Sequence, residues 1–340
     1  MNRQPIAVSV GDAGGVGPMV AFRAAYELRA HDRFVLFGDA AQLDGIAQQD
    51  GKVDALTHLT LSDVTTLPAG RVGVVDTGRV EPALLAQHRA LPELGEAQWR
   101  TLNVAAQAVF AGRLRALATG PTSKAAIVSA GHTFTGQTEL LAQLAGLADD
   151  DVTMMFLGPK LRVALVTTHL SVAQVPLQIT CTRVTRTVRH LAEALCALAP
   201  DALEQRLVVA GLNPHAGEGG LFGREEIDAI TPALQALAQQ PPFTDGKVRL
   251  SGPDPAESVF RAAQRGDIAG VVAMLHDQAT IASKLLDWGA AVNVTWGLPF
   301  VRTSVDHGVA YDAARAGTAE HDGMLAALQM ARRLTEHDHV

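Results

Sequence analysis

The chain is poor in several residue types. It has two cysteines in 340 residues, Cys181 and Cys196, and they form no CxxC pair. This excludes a disulfide framework and leaves reduced, buried thiols in a cytoplasmic protein as the expectation. Aromatic residues make up 4%, and 28 Lys and Arg face 35 Asp and Glu, for a formal charge of −7. Without a basic patch or basic–aromatic interleaving, nucleic acid is not an expected partner. No apolar run approaches the ~18 residues of a membrane span. The opening run IAVSV (6–10) is too short for a secretory h-region and reads as a first strand. Nucleotide fingerprints are missing too. GDAGGVGP (11–18) is not in GxGxxG register and lacks the Lys-Ser/Thr of a P-loop, so a tight turn and an anion site both remain open for it.

Ala, Val and Leu supply most of a 48% hydrophobic content. That balance suits helices stacked on parallel strands. A chain of 340 residues predicts two domains. Strands are expected at 6–10, 34–39, 72–78, 152–158, 162–170, 206–211, 270–278 and 291–297, and another opens the stretch 116–131. Helices are expected up to about Ala30, over 93–114, 182–198 and 224–240, within 251–263, and over 322–334. Alternation of this kind predicts α/β layers.

Chemistry-bearing residues gather after the expected strands. His169, His215 and His276 each follow an apolar run, and parallel strands bring their C-terminal ends to one edge. Three imidazoles with open positions suit a catalytic divalent ion: zinc, manganese, cobalt, magnesium or nickel. Lys124 falls in the first turn of a helix, where the dipole is unfavourable to a cation, so its place asks for an anionic partner. Gln137 and Thr138 read as helix caps or anion donors. The stretch 276–310 has neither the pattern of a core nor that of a solvated helix face, and its polar residues sit beside apolar runs.

TGPTSKAAI, FTGQTE, VALVTTHL, GLNPHAGEGG, AMLHDQ and GLPFVRTSVDHG resemble the motifs of the 4-hydroxythreonine-4-phosphate dehydrogenase family. The resemblance runs from GDAGGVGP to the DHG-x-A segment, most of the chain. It implies two α/β/α domains with a cleft between them, like isocitrate and isopropylmalate dehydrogenases. One domain would take 1–133 and 297–340, and the other, carrying the metal ligands and a dimer interface, 134–296. It implies a homodimer in which His169, His215 and His276 hold the metal, one of them contributed across the interface. Gln137, Thr138, Lys124, Lys284, Asn293 and Arg302 would grip a phosphorylated hydroxy acid. HGVAYDAA (307–314) resembles the adenine-ribose loop of β-decarboxylating dehydrogenases. NAD, or NADP, would then contact His307, Gly308, Ala310 and Asp312, with Gly217 and Gly219 in the glycine-rich loop. The implied reaction oxidises a secondary alcohol to a β-keto acid, which loses CO₂. A divalent ion can lower the pKa of a bound hydroxyl from 15.7 to roughly 7, as it does for water. Lys284 would contact substrate or relay a proton, with Asp277 and Glu257 as base candidates.

Departures from the family pattern matter. Gln137 stands where the family has His, Glu257 where it has Asp, Met19 in place of an acidic residue and Ala13 in place of a proline. The glycine pattern near WGAAVNV is altered as well. These changes point to a relative of the parent substrate, such as D-threonate or D-erythronate 4-phosphate. Retained Lys124 and Thr138 argue against the branch that oxidises cis-dihydrodiol carboxylates.

Overall fold

Runs such as FVLF and GVVA are apolar at successive positions, so a strand built from them must be covered on both faces. In the computed structural model, which describes residues 3–199 and 204–336, such runs form the centres of parallel sheet. In chain order the strands are β1 (Ile6–Ser9), β2 (Phe34–Gly38), β3 (Leu56–Leu59), β4 (Val72–Asp76), β5 (Ala116–Thr119) and β6 (Thr153–Leu157). β7 (Arg162–Leu165), β8 (Gln205–Ala210), β9 (Val248–Asp254), β10 (Gly270–Ala273), β11 (Val292–Trp296) and β12 (Val301–Ser304) follow. The chain folds as two units. One holds the described residues up to Asp149 and from Leu298 onward, and the other is Asp150–Gly297. The boundary expected at 134 falls inside the first unit, so Gln137 and Thr138 belong with Arg302.

In the first unit the order is β3-β4-β2-β1-β5-β12, parallel throughout. β1, β2 and β5 are buried at every position. In the second unit the order is β11-β6-β7-β10-β8-β9, with β6 antiparallel to both of its neighbours. β6 and β7 are joined by a tight turn, which a parallel pair could not use. The turn is clamped from outside. Buried Asp287 accepts from the backbone N–H of Leu161 (2.8 Å) and Lys160 (3.2 Å). A Cβ on Gly158 would lie 2.2 Å from the same carboxylate. Removing a buried acceptor strands its donors at about 1–3 kcal/mol. Asp287→Ala is therefore expected to lower stability by about 3 kcal/mol, read as a drop in urea midpoint at unchanged slope.

Helix ends follow the sequence. Asp39 caps the helix Ala40–Gln49 by accepting from Ala41 (2.9 Å) and Gln42 (3.2 Å). Thr180 caps Cys181–Leu198, and Gly266 ends Ala256–Arg265 in the left-handed conformation (φ 81°). On Cys181–Leu198, half-buried His190 bonds Thr153 Oγ1 through Nδ1 (2.9 Å). Burial, with Arg186 and Arg189 nearby, lowers its pKa from 6.5 to about 4. Folding is favoured fully above pH 6.5, where the unfolded imidazole is also neutral. That advantage is lost as pH falls toward 4, because the unfolded chain takes up the proton first. His190→Phe is expected to flatten the stability–pH curve in this window by up to about 3 kcal/mol, measured by urea unfolding at several pH values.

Several elements differ from expectation. The expected strand 270–278 stops at Ala273, and His276 begins a helix, His276–Leu286. The expected strand 162–170 stops at Leu165, so His169 lies in the following loop. β3, β9 and β12, and the helices Ala40–Gln49 and Tyr311–Ala316, were not foreseen. Region 224–240 is a π-helical turn, Glu226–Ile230, running into Thr231–Leu237. Cys181 is exposed rather than buried, and Cys196 is half-buried; both thiols are free.

Candidate active site

In the first unit the loops after β1, β5 and β12 lie side by side, since these strands are neighbours and parallel. Arg302, the second residue of β12, is 3% exposed. Its Nη2 donates to Thr119 Oγ1 (2.9 Å) and Gln137 Oε1 (2.8 Å), and its Nη1 to Thr138 Oγ1 (3.4 Å). Burial lowers its pKa from 12.5 to about 10, opposed by Glu139, so the guanidinium stays charged at neutral pH. Gln137 is spent on the protein itself. Its Nε2 donates to Gly120 O (3.0 Å) and Thr122 Oγ1 (2.9 Å) while its Oε1 accepts from Arg302. Its amide thus ties Arg302 to the turn after β5. Lys124 is exposed at the first position of the helix Lys124–Ser129, which Ser123 caps through Ala126 N (3.3 Å).

A network that sequence reading missed ties the same loops together. Buried Asp12 accepts from Tyr311 Oη (2.7 Å), Gly14 N (2.9 Å) and Gln98 Nε2 (3.2 Å). Gln98 in turn accepts from Ser123 N (2.8 Å). Burial raises the pKa of Asp12 and of Tyr311, and the Tyr311–Asp12 hydrogen bond raises Tyr311 further while lowering Asp12. Gly15 packs against Val309, leaving no room for a Cβ, and Val16 N donates to Val309 O (3.0 Å). Asp12 sits in GDAGGVGP and Tyr311 in HGVAYDAA, so both were in view in the sequence, but nothing in either motif says that they meet. Of the residues expected at the cofactor, His307, Gly308 and Ala310 are exposed, and Ala310 is left-handed (φ 50°). Asp312 is exposed and pairs with Arg315 (3.1 Å).

In the second unit the structure brings together two of the three histidines. The rings of His169 and His276 lie 5.6 Å apart. Nδ1 of His276 pairs with Asp277 Oδ1 (2.8 Å), so Nε2 is the ring nitrogen not engaged by that carboxylate. Gln278 holds the start of that helix: its Oε1 accepts from Met274 N and Leu275 N, both 3.0 Å, and its Nε2 donates to Gly211 O (3.1 Å). Neither histidine closes a strand as expected: His169 lies in the loop after β7 and His276 begins a helix. Among the described residues no group of three His, Cys, Asp or Glu could hold an ion.

His215 is exposed in a loop after β8 whose residues 215–219 all have positive φ, between 45° and 80°. Consecutive left-handed residues cost roughly 1–2 kcal/mol each unless glycine, so the surroundings must hold the turn. Buried Glu226 does so, accepting from Asn213 N (2.8 Å) and Asn213 Nδ2 (2.9 Å). Gly217, expected at the cofactor, is buried, and a Cβ there would lie 2.8 Å from Glu226 Oε2. Gly219 is open to solvent. Asn293, on β11, has a buried Oδ1 without a hydrogen-bond partner. Lys284 is exposed in the last turn of His276–Leu286, and Glu257 is exposed in the first turn of Ala256–Arg265.

Two α/β units, a pair of neighbouring imidazoles and a buried guanidinium held by two hydroxyls and an amide define an α/β protein whose relatives place it among the dehydrogenases. The family described as pyridoxal phosphate biosynthetic protein PdxA matches residues 30–331, and the chain belongs to that family. It is 38% identical to a 4-hydroxythreonine-4-phosphate dehydrogenase of Geobacter metallireducens, with 98% of this chain and 96% of that one covered. It is 36% identical to a D-threonate 4-phosphate dehydrogenase of Cupriavidus necator, over 97% and 96%. The solved structure of a putative 4-hydroxythreonine-4-phosphate dehydrogenase from Salmonella typhimurium superposes with a TM-score of 0.83 at 32% identity, covering 98% and 99%.

Proposed function

We propose that this chain oxidises the secondary alcohol of a four-carbon hydroxy acid 4-phosphate with NAD, using a divalent ion, and that the β-keto acid formed loses CO₂. The single observation that carries this reading is the buried guanidinium of Arg302, held in a fixed plane by Thr119, Gln137 and Thr138. A buried cation so oriented suits a phosphate or carboxylate, which the guanidinium fork matches. The donor set in the second unit fits a metal. Two imidazoles in contact, one fixed in tautomer by a carboxylate, suit a divalent ion, and a catalytic site needs a third ligand. His215 of a second copy is the proposed donor. When bound, the ion supplies Lewis acidity to the alcohol and the nicotinamide accepts hydride.

The chain's own residues divide the remaining work. Thr138 and Lys124 share the phosphate with Arg302. The unpartnered Oδ1 of Asn293 accepts from a substrate hydroxyl. Lys284 contacts substrate or moves a proton, and Asp277 orients His276. The loops at 11–16 and 307–312, locked by Asp12 and Tyr311, would form the dinucleotide platform. Homodimerisation through the second unit is supported by its exposed apolar side chains. Ile281 and Leu285 lie four apart on one helix, with Trp288 (82% exposed) just past its end.

The test mixes protein, Mn²⁺ or Zn²⁺, NAD⁺ and a panel of 4-phospho hydroxy acids and follows absorbance of reduced nicotinamide. No signal from any member, with NAD⁺ shown to bind by calorimetry, would sink the proposal. Among substrates, a second reading is D-threonate or D-erythronate 4-phosphate, favoured by the consumed amide of Gln137. Gln137→His is expected to change the KM ratio between threonate and 4-hydroxythreonine phosphates by about tenfold with kcat altered less, since one hydrogen bond is worth about 1.4 kcal/mol here. An unchanged ratio would remove Gln137 from specificity.

A further inference from the structure

The first unit has a second concentration of positive charge, remote in sequence from the residues above. Arg3 lies just before β1, Arg33 directly before β2, and residues 65–69 before β4. These segments enter the sheet at the N-terminal ends of its strands, whereas Gly120 and Thr122 follow the C-terminal end of β5. They line a cavity of about 610 Å³, together with Arg29, Asp32 and Arg332. That volume lies within the range of small-molecule sites, about 300–1,000 Å³.

Arg3, Arg29, Arg33 and Arg332 line this cavity, and among the described residues Asp32 is the only carboxylate in its lining. Asp32 is already engaged, by Arg115 Nη2 at 2.5 Å and by Arg332 Nε at 3.4 Å. The side-chain contacts of Arg3, Arg29 and Arg33 are to neutral groups, whereas Arg332 is paired with carboxylates. Arg33 donates to the carbonyls of Thr65 and Leu67 (both 3.4 Å) and of Arg3. Arg3 donates to Glu336 O (2.7 Å). Arg29 donates to Tyr26 O (2.5 Å) and lies over the Tyr26 ring at 3.6 Å. Arg332 also reaches the Glu336 carboxylate at 3.6 Å. Neutral acceptors orient a guanidinium but leave its charge to be met by something else. Crowding is felt at Arg115, whose pKa is lowered first by burial and then by Arg3 and Arg33. A local excess of this kind, in a chain of net charge −7, is the footprint of an anion rather than of a polyanionic surface.

We infer that this cavity is an anion site for a small ligand carrying two or more phosphate charges, separate from the substrate grip at Arg302. Pyrophosphate is the probe. Calorimetry is done on Arg302→Met protein, so that anion binding at the proposed substrate site is removed. Pyrophosphate is expected to bind once per chain, at least about tenfold more tightly than orthophosphate because it can engage several arginines at once. Adding Arg29→Gln and Arg332→Gln is expected to weaken it at least about tenfold. The same two changes in the otherwise native chain should leave nicotinamide reduction within about twofold. Pyrophosphate affinity unmoved by these changes would overturn the inference. Should the variants fail to fold, crystals of the native chain soaked in tungstate decide. An anomalous peak among Arg29, Arg33 and Arg332 is expected, and its absence at a concentration that labels the Arg302 site would refute the assignment.

Discussion

Mixing the inactive variants His215→Ala and His276→Ala, and letting subunits exchange, is expected to restore about a quarter of native activity. The reason is geometric. His169 and His276 meet within one chain, while His215 joins no such group among the described residues. If His215 is lent to the neighbouring copy, each mixed dimer has one site with all three imidazoles and one with two missing. Half of the dimers are mixed, and half of their sites work, which gives the expected quarter. If the three histidines served one chain, every site in the mixture would lack one ligand and no activity would return. Each variant alone should lose metal as well as turnover, measured as bound ion per chain by mass spectrometry. Asp277→Asn is expected to weaken metal binding by about 10–100-fold with the oligomeric state unchanged, because it only orients the His276 ring.

The second large effect is at Arg302. Arg302→Met should lower kcat/KM by about 10²–10³, since a charge-assisted, forked contact to a phosphate or carboxylate is worth roughly 3–4 kcal/mol when desolvated. Arg302→Lys should recover little of this, because an ammonium has one donor point where Thr119, Gln137 and Thr138 hold a plane. Stability should change less than activity. Thr119 keeps its hydrogen bond to Ser304 Oγ (3.0 Å), and the desolvation penalty on the charge is removed with it. Parallel loss of activity and folding cooperativity would instead make Arg302 a structural residue.

The α/β alternation was legible wherever a strand was a pure apolar run bounded by glycine or proline, as at 34–39 and 72–78, and the closing helix Asp322–Leu334 was read to the residue. It was least legible where an apolar run crossed an element boundary. VVAML runs unbroken into His276, so the strand appeared to include it; the helix is instead started by Gln278, whose side chain takes the free N–H groups of Met274 and Leu275. Arg302 was singled out as a polar residue among apolar ones, but its strand was not, because a buried arginine interrupts the pattern by which strands are recognised. Long-range pairs such as Asp12 with Tyr311 have no spacing to betray them. The positive φ run at 215–219 was hidden too, since only two of its five residues are glycine.

That run has the backbone of a mirror-image helix. Its natural occupants are of the wrong hand for it, and Ala216 at φ 52° is the clearest case. A residue of D configuration would rest there without steric conflict. Semisynthesis with D-alanine at 216 should therefore give a chain more stable than the genetically encoded one, at a position where every encoded alternative except glycine is constrained. Handedness, more than hydrophobicity or charge, limits which sequences can occupy the turn that presents His215.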